Sequence, residues 1–440
     1  MEEDLRYRYE SPTEQIDLVK QRLEEAVDKA TEKLNYESAH DKEILRSLEV
    51  VASFIRKKKR VCYGGTAMNA ILPDSKKFYD PRVDLPDYDF YTPDVDGDIE
   101  ELVQLLKREG FKEVYHKVGI HEGTKKILVN FMPVADISAI EPELFAVLLR
   151  RSILKEGMHY TDENILRMMM YLELSRPKGM PSRWTKVFER LQLINDLFPI
   201  KGCGSGKHDR LPAIPFDARK IIIDHIIEWK RILCNGPIVQ LYTHGITKRN
   251  AKFRVQDGGA VLFTSPDPKA DALLLKKAFP YDDIVLFRHA ARGELVPNRI
   301  EIKRGKQTLC VIVEEGACHS YVRVPTPDGR TIYVGSLEFL ITLYLSLQIF
   351  TTHSEDVLGS HVQCYIKRFI ELEKKNYLAK KSQFPAFPIE CRGHQTKFSS
   401  LLRKKVERIK REKKDYSSTR KHTAKRHSKT RRRKHSGAIE

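Results

Sequence analysis

Two short segments limit this chain most tightly: Tyr63-Gly64-Gly65-Thr66-Ala67, and Leu85-Pro86-Asp87-Tyr88-Asp89-Phe90 further on. A glycine pair lets the backbone approach an anion closely, and a helix that starts there points unpaired N–H groups at it. The run Ala67-Met68-Asn69-Ala70-Ile71-Leu72 reads as that helix, and Lys59-Arg60-Val61-Cys62-Tyr63 as the strand feeding it. In a strand, residues two apart share a face, so Asp87 and Asp89 project together while Tyr88 and Phe90 turn away. A Gly-Gly pair alone is more often a plain turn, and Asp-x-Asp alone is usually a solvated face. In this order they restrict the chain to folds that hold a phosphate beside paired carboxylates.

A third carboxylate, Asp136, lies in Lys126 to Ser138, which reads as a buried strand entered from a charged turn at Glu122 to Lys126. Pro133 within it requires a bulge or an edge position. Three carboxylates on neighbouring strands can hold two divalent cations beside a triphosphate, which is the chemistry of nucleotidyl transfer. Asp74, Asp80 and Asp84 are rivals in the intervening polar and aromatic stretch, Pro73 to Asp84. The apolar strand that flanks Asp87 and Asp89 favours that pair.

The order Gly-Gly-Thr, Asp-x-Asp, then a lone Asp on a later strand resembles the DNA polymerase β-type nucleotidyltransferase superfamily. More narrowly, Tyr63 to Ala67, Leu85 to Pro93, and Tyr171-Leu172-Glu173-Leu174-Ser175-Arg176-Pro177-Lys178-Gly179 are similar to segments of the poly(A) polymerase catalytic subunits of large cytoplasmic DNA viruses. The likeness covers roughly 40–200 and, more loosely, the rest to about 380. With 21 residues between Gly65 and Asp87, the spacing is longer than in the wider superfamily, as it is in the viral subgroup.

The resemblance implies an α+β fold and a template-independent enzyme that adds AMP from ATP to an RNA 3′ end. Asp87, Asp89 and Asp136 would bind two Mg2+ (or Mn2+) ions, and Gly64, Gly65 and Thr66 would meet the triphosphate. Arg176, Lys178, Arg183 and Lys186 are the candidates for neutralising it, although a charge stripe on a helix is usually a solvated face. Tyr171 and Trp184 are candidates for stacking on the base, although such residues are more often core. A second copy of the chain or a viral processivity subunit is a further partner. The implied location is the host cytoplasm, at the viral factory, or inside the virion. CCA- or uridylyl-adding enzymes and an oligonucleotide synthetase share the chemistry, and a non-catalytic RNA-binding scaffold shares the fold.

Charge needs dividing before it is used. Residues 401–440 hold 17 Lys or Arg against 4 acids, a net of +13, which leaves only +5 of the total +18 to the first 400. The basicity therefore belongs to a tail without a sustained apolar face, expected to be largely disordered. Lys404, Arg408, Arg426, Arg431, Arg432 and Arg433 are its candidates for RNA phosphates, contacts that read no sequence, and a nuclear-import-like address or simple solubilisation are the other roles such a segment serves. Seven scattered cysteines with no C-x-x-C pair and no secretory leader point to a reducing, intracellular compartment. The apolar run Leu337 to Phe350 is too short to span a bilayer and reads as a buried helix.

These signals divide the chain into N-terminal helices (1–59), a catalytic core (60–142), a helical region with a glycine-rich linker (143–235), a C-terminal domain (236–385) and the basic tail (386–440). Lys201 to Lys207 mimics a phosphate loop but has Lys where the first glycine belongs and His208 in place of Ser or Thr. Asp94, Asp96 and Asp98 mimic a calcium loop but have Leu105 where its glutamate belongs, so a turn into a helix over 99–108 fits better. Phe263-Thr264-Ser265-Pro266-Asp267, followed by an apolar helix, echoes Phe90-Tyr91-Thr92-Pro93-Asp94. In that register Asp87 and Asp89 fall on Ala260 and Leu262. The C-terminal domain is thus expected to be a degenerate copy that cannot hold metal, with Val261 to Phe263 on a strand and a helix through Ala272 to Lys277.

Overall fold

The computed structural model describes residues 13–80, 82–121, 123–201, 213–248, 250–255, 258–293, 295–350, 362–397 and 399–411. Two helices lead in, α1 (Thr13–Ala39) and α2 (Lys42–Lys58). In α2 the apolar residues at helical spacing are buried, and Asp41 caps its start by accepting from the Glu43 and Ile44 amides. The apolar positions of α1 (Ile16, Val19, Leu23, Val27 and Leu34) remain exposed, so the helix expected there forms without burying its apolar face.

The first sheet is built from β1 (Val61–Cys62), β2 (Tyr88–Thr92), β3 (Val114–Val118), β4 (Thr124–Val129), β5 (Met132–Ala139), β6 (Ile153–Lys155) and β7 (Met158–Tyr160). Its order is β3-β4-β5-β2-β1-β7-β6. Between the strands lie α3 (Gly64–Ile71), α4 (Val95–Arg108) and α5 (Pro142–Arg151), and α6 (Glu163–Leu174) and α7 (Trp184–Leu197) follow. The segment read as one strand over 126–138 is two strands. Asn130 and Phe131 both take positive φ, +48° and +68°, the signature of a tight two-residue hairpin turn. The expected irregularity at Pro133 is present, because Leu128 pairs with Pro133 but Ile127 pairs with Ala135. The first sheet also extends past 142, since the β6–β7 hairpin in the region expected to be helical completes it. That hairpin turns through Glu156 and Gly157, with φ of +52° and +77°.

The second sheet holds β8 (Ile232–Leu233), β9 (Val261–Ser265), β10 (Ile284–His289), β11 (Arg299–Arg304), β12 (Gln307–Glu314), β13 (His319–Pro325), β14 (Thr331–Gly335) and β15 (Cys391–Arg392). Its order is β10-β11-β12-β9-β8-β14-β13-β15. With β15 set aside, each strand matches one in the first sheet. β2 runs parallel to β5 and β9 parallel to β12, while β1 and β8 are antiparallel to β2 and β9. The helices α8 (Phe216–Glu228), α9 (Ile238–Lys248) and α10 (Pro268–Ala278) stand in the places of α2, α3 and α4. Val261 to Phe263 lie on β9, and Ala272 to Lys277 lie in α10, as the echo requires.

Details agree with the duplication. Arg60 forms a two-pronged ion pair with Asp98 at 2.6 and 2.8 Å, and Arg231 does the same with Asp271 at 2.7 and 2.9 Å. Asp94 caps α4 through the Gly97 amide, and Asp267 caps α10 through the Ala270 amide, both at 3.0 Å. Against the opposing effect of burial, His225 and then Arg231 hold the Asp271 carboxyl well below the usual carboxylate range.

The long helices α11 (Leu337–Phe350) and α12 (Val362–Leu378) pack against each other, and α11 also packs on α6, which ties the halves together. Tyr171 of α6 donates to the buried Glu373 at 2.6 Å. Within the region after 385, the described residues 386–397 and 399–411 carry regular structure. β15 pairs with β13, Cys391 is disulfide-bonded to Cys318, and 399–411 are helical. That bond departs from the expectation of reduced cysteines, because sheet register brings together two residues 73 apart in sequence. Arg426, Arg431, Arg432, Arg433 and the glycine-rich segment 202–207 lie outside the described residues. Among the described residues, no helix is long and apolar enough to cross a membrane.

Candidate active site

The glycine turn joins β1 to α3. Gly64 has φ +72°, and a Cβ there would stand 2.6 Å from Oδ2 of Asp89, so glycine is needed on both counts. The Tyr63 amide donates to the Asp89 carbonyl at 2.9 Å, and the Thr66 hydroxyl donates to the Asp87 carbonyl at 2.7 Å. The turn and the carboxylate pair are therefore fastened together from both sides. Asp87 immediately precedes β2 and Asp89 lies on it. Asp136 is the direct register partner of Asp89 across the parallel β2–β5 pair. Asp80 and Asp84 belong elsewhere: Asp84 accepts from the Asp80 amide, and Asp80 pairs with Arg82.

The electrostatics of the cluster are unbalanced toward negative charge. Burial, then the charges of Asp87 and Asp136, push the Asp89 carboxyl up to about 7, against the opposing pull of Lys126 and Arg183. Asp87 is raised by burial and by Asp136. The neighbouring Cys62 thiol is pushed up to about 12, chiefly by burial. Lys126, opposite Asp136 on β4, donates to its Oδ2. Nothing in the sequence nominates this lysine, and only the hairpin places it. Among the described residues, no three His, Cys, Asp or Glu side chains converge as a ready-made metal cluster. The donor set nevertheless suits a hard divalent cation: carboxylate oxygens only, in mutual repulsion, on two adjacent strands.

The nominated basic residues differ in position. Arg183 pairs with Glu173 at 3.2 Å, and its charge reaches Asp89. Arg176 acts on the same Glu173 and, after burial, helps hold His319 at about 3. Lys178 and Lys186 are exposed. Tyr171 is completely buried and bonded to Glu373, so it is core and not a stacking platform for a base. Trp184 packs beside Phe387, with ring centres 6.4 Å apart. Of the tail residues, Lys404 is exposed, while Arg408 donates to the Gly119 and Ile120 carbonyls at 3.1 and 2.9 Å. Two further residues that the sequence does not single out, Tyr79 and Arg190, converge on Gly65. The only hint of Arg190 is its place in a basic stripe with Arg183 and Lys186.

A glycine turn opening a helix, with carboxylates on two parallel neighbours of a mixed sheet, is the arrangement that the resemblance to the polymerase-β-type nucleotidyltransferases implies. Residues 49–180 match the family model of the poly(A) polymerase catalytic subunit, so the likeness carried by the glycine turn and the carboxylates is borne out over that segment. Relatives named as poly(A) polymerase catalytic subunits include one from Acanthamoeba polyphaga mimivirus, 32% identical over 158 residues, which covers 35% of this chain and 26% of the relative. Another, from African swine fever virus (isolate Tick/Malawi/Lil 20-1/1983), is 31% identical over 164 residues, covering 36% and 34%. A third, from the Pig/Kenya/KEN-50/1950 isolate, is 31% identical over 204 residues, covering 45% and 40%. The chain thus spans well under half the length of these relatives. The crystal structure of the Megavirus polyadenylate synthase superposes with a TM-score of 0.73 over 94% of this chain and 86% of that one. At 18% identity that likeness speaks to the fold.

Proposed function

We propose that the chain is a template-independent poly(A) polymerase. The observation that carries this reading is the register pair Asp89–Asp136, with Asp87 two residues upstream and the glycine turn packed against Asp89. Asp87, Asp89 and Asp136 would hold two Mg2+ (or Mn2+) ions, which when bound lower the pKa of the attacking hydroxyl and neutralise the triphosphate. Gly64, Gly65 and Thr66 bind the phosphates through the turn, and Arg183 and Arg176, then Lys178 and Lys186 at the rim, supply positive charge. The RNA 3′ oxygen forms a bond to the α-phosphorus of ATP, the α–β bridging bond breaks, pyrophosphate leaves and the hydroxyl proton passes to solvent. The partial burial of Asp89 strengthens the charge interactions that it makes. Lys404 and the tail arginines hold RNA by its phosphates. A second subunit, of this chain or a viral processivity factor, and a cytoplasmic viral site of action complete the reading.

Intact carboxylates at all three positions favour catalysis over an RNA-binding scaffold, because gathering three mutually repelling acids at one point of the sheet serves no scaffold. A short RNA primer incubated with each NTP in turn and Mg2+, with products resolved by length, tests the proposal. Extension with ATP alone is expected. No extension with any NTP would overturn it, and preference for CTP or UTP would redirect it to the sister activities.

A further inference from the structure

The two glycines of the turn face different neighbours. A Cβ on Gly64 would meet Asp89, whereas one on Gly65 would meet the Tyr79 hydroxyl and, at 3.0 Å, Nη1 of Arg190. The turn thus stands between the carboxylate cluster and a cation delivered by α7. Arg190 is held there by its surroundings. Its guanidinium carbon lies 4.3 Å from the centre of the Phe78 ring and 5.5 Å from that of Tyr79, and Nη2 donates to the Tyr79 hydroxyl at 3.2 Å. The loop that presents both rings is anchored to α3 itself, because Asn69 Oδ1 accepts from the Phe78 and Tyr79 amides at 2.9 and 3.1 Å.

The charge around Arg190 sets it apart from nearby cations. Lys77 pairs with Asp74, Arg82 with Asp80 and Arg183 with Glu173. Among the described residues, no carboxylate forms an ion pair with Arg190, and Tyr79 is its hydrogen-bond partner. A half-buried guanidinium stacked on aromatic rings keeps its planar fork oriented, and the anion that suits that fork best is a phosphate. It sits beside a glycine where a side chain would block approach.

We infer that Arg190 binds the terminal phosphates of the incoming nucleotide, the part that leaves as pyrophosphate, on the Gly65 side of the turn, with Tyr79 as the residue that positions it. This rests on the nucleotidyl-transfer reading above and assigns a residue within it. The α-phosphate then faces Asp89 while the leaving group faces Arg190, so the triphosphate lies across the glycine turn. The insert 73–84, with its Phe78 and Tyr79 rings, is the means by which α7 and α3 share this anion.

The test uses the full chain with Mg2+ and measures binding of ATP, AMP and inorganic pyrophosphate to the wild type, Arg190→Ala, Arg190→Lys and Tyr79→Phe. Arg190→Ala is expected to weaken ATP and pyrophosphate about tenfold or more, the usual scale for removing a charge-assisted bond, and to leave AMP unchanged. Arg190→Lys should recover part of that affinity, and Tyr79→Phe should weaken it severalfold. Unchanged pyrophosphate binding in Arg190→Ala, or equal weakening for ATP and AMP, would overturn the assignment. If Arg190→Ala does not fold, unchanged pyrophosphate binding in both Arg190→Lys and Tyr79→Phe overturns it equally. A wild type that extends no primer and binds no ATP sinks the parent reading instead, whereas an active wild type with unaffected variants sinks this inference alone.

Discussion

The two sheets share one strand order and differ in what stands at the matching positions. Asp87, Asp89 and Asp136 of the first correspond to Ala260, Leu262 and Val311 of the second, since Leu262 pairs with Val311 just as Asp89 pairs with Asp136. The cleft is also closed. Asn235 donates to the Ala260 carbonyl at 2.8 Å and accepts from the Leu262 amide at 2.7 Å, and the Arg219 guanidinium lies 3.1 Å from where a Gly236 Cβ would be. Features that hold the fold are kept in both halves, namely the Arg–Asp pair and the Asp cap. Features that only a ligand requires are kept in one. The comparison separates fold from chemistry within a single chain.

The largest expected effect breaks the comparison at its centre. Asp87→Ala, Asp89→Ala or Asp136→Ala should lower primer extension by on the order of 10³-fold or more. Val311→Ala, the counterpart of the Asp136 change, should leave activity per folded molecule intact and cost about 2 kcal/mol of stability in urea unfolding. Asp80→Ala and Asp84→Ala should do far less to activity. If Asp84→Ala were as inactive as Asp87→Ala at normal stability, the register of the motif would be wrong.

The shared ion pairs should be equivalent. Asp98→Ala strands the largely buried Arg60 guanidinium and Asp271→Ala the buried Arg231, and each is expected to cost about 3 kcal/mol in denaturant titration. A large cost in one sheet and none in the other would show that the resemblance between the halves is only topological.

A smaller effect, confined to the first sheet, is a pH dependence. The folded Asp89 carboxyl titrates at about 7, whereas an unfolded aspartate does so near about 3.9. Between those values the native chain holds the extra proton, so stability falls as pH rises through that window and levels off above it. In chelator, Asp89→Asn should therefore melt higher than the wild type by a margin that grows from pH 5 to pH 8 and shrinks when Mg2+ is added. Leu262→Asn should show no such pH-dependent margin.

The smallest effect concerns the tail. Removing residues 412–440 should leave single-nucleotide addition intact at high primer concentration. It should also flatten the salt dependence of RNA binding, by a log–log slope of about 0.7 for each RNA phosphate that the tail neutralises. An unchanged slope would show that the tail does not touch RNA.

Much of this is legible in the sequence because it is local. The glycine turn, the Asp-x-Asp pair, the buried helix over 337–350 and the echo of Phe90 to Asp94 in Phe263 to Asp267 are set by residues close along the chain, whose spacing maps directly onto a face or a turn. The hairpin at Asn130 and Phe131 is hidden because an apolar run with one Pro reads as a single strand, and an Asn-Phe turn carries no glycine to mark it. The β6–β7 hairpin is hidden because its strands are too short to show alternation.

By itself the sequence determined the chemistry that the chain can offer: three carboxylates, a glycine turn and a second half that lacks those acids. Only the tertiary structure decided which side chains those groups meet. Lys126 reaches Asp136 across a hairpin, Arg190 reaches Gly65 by way of an aromatic insert, and Cys391 reaches Cys318 across a sheet edge. The physical reason is that each of these contacts joins residues whose separation along the chain says nothing about their distance, until strand register and helix packing bring them together.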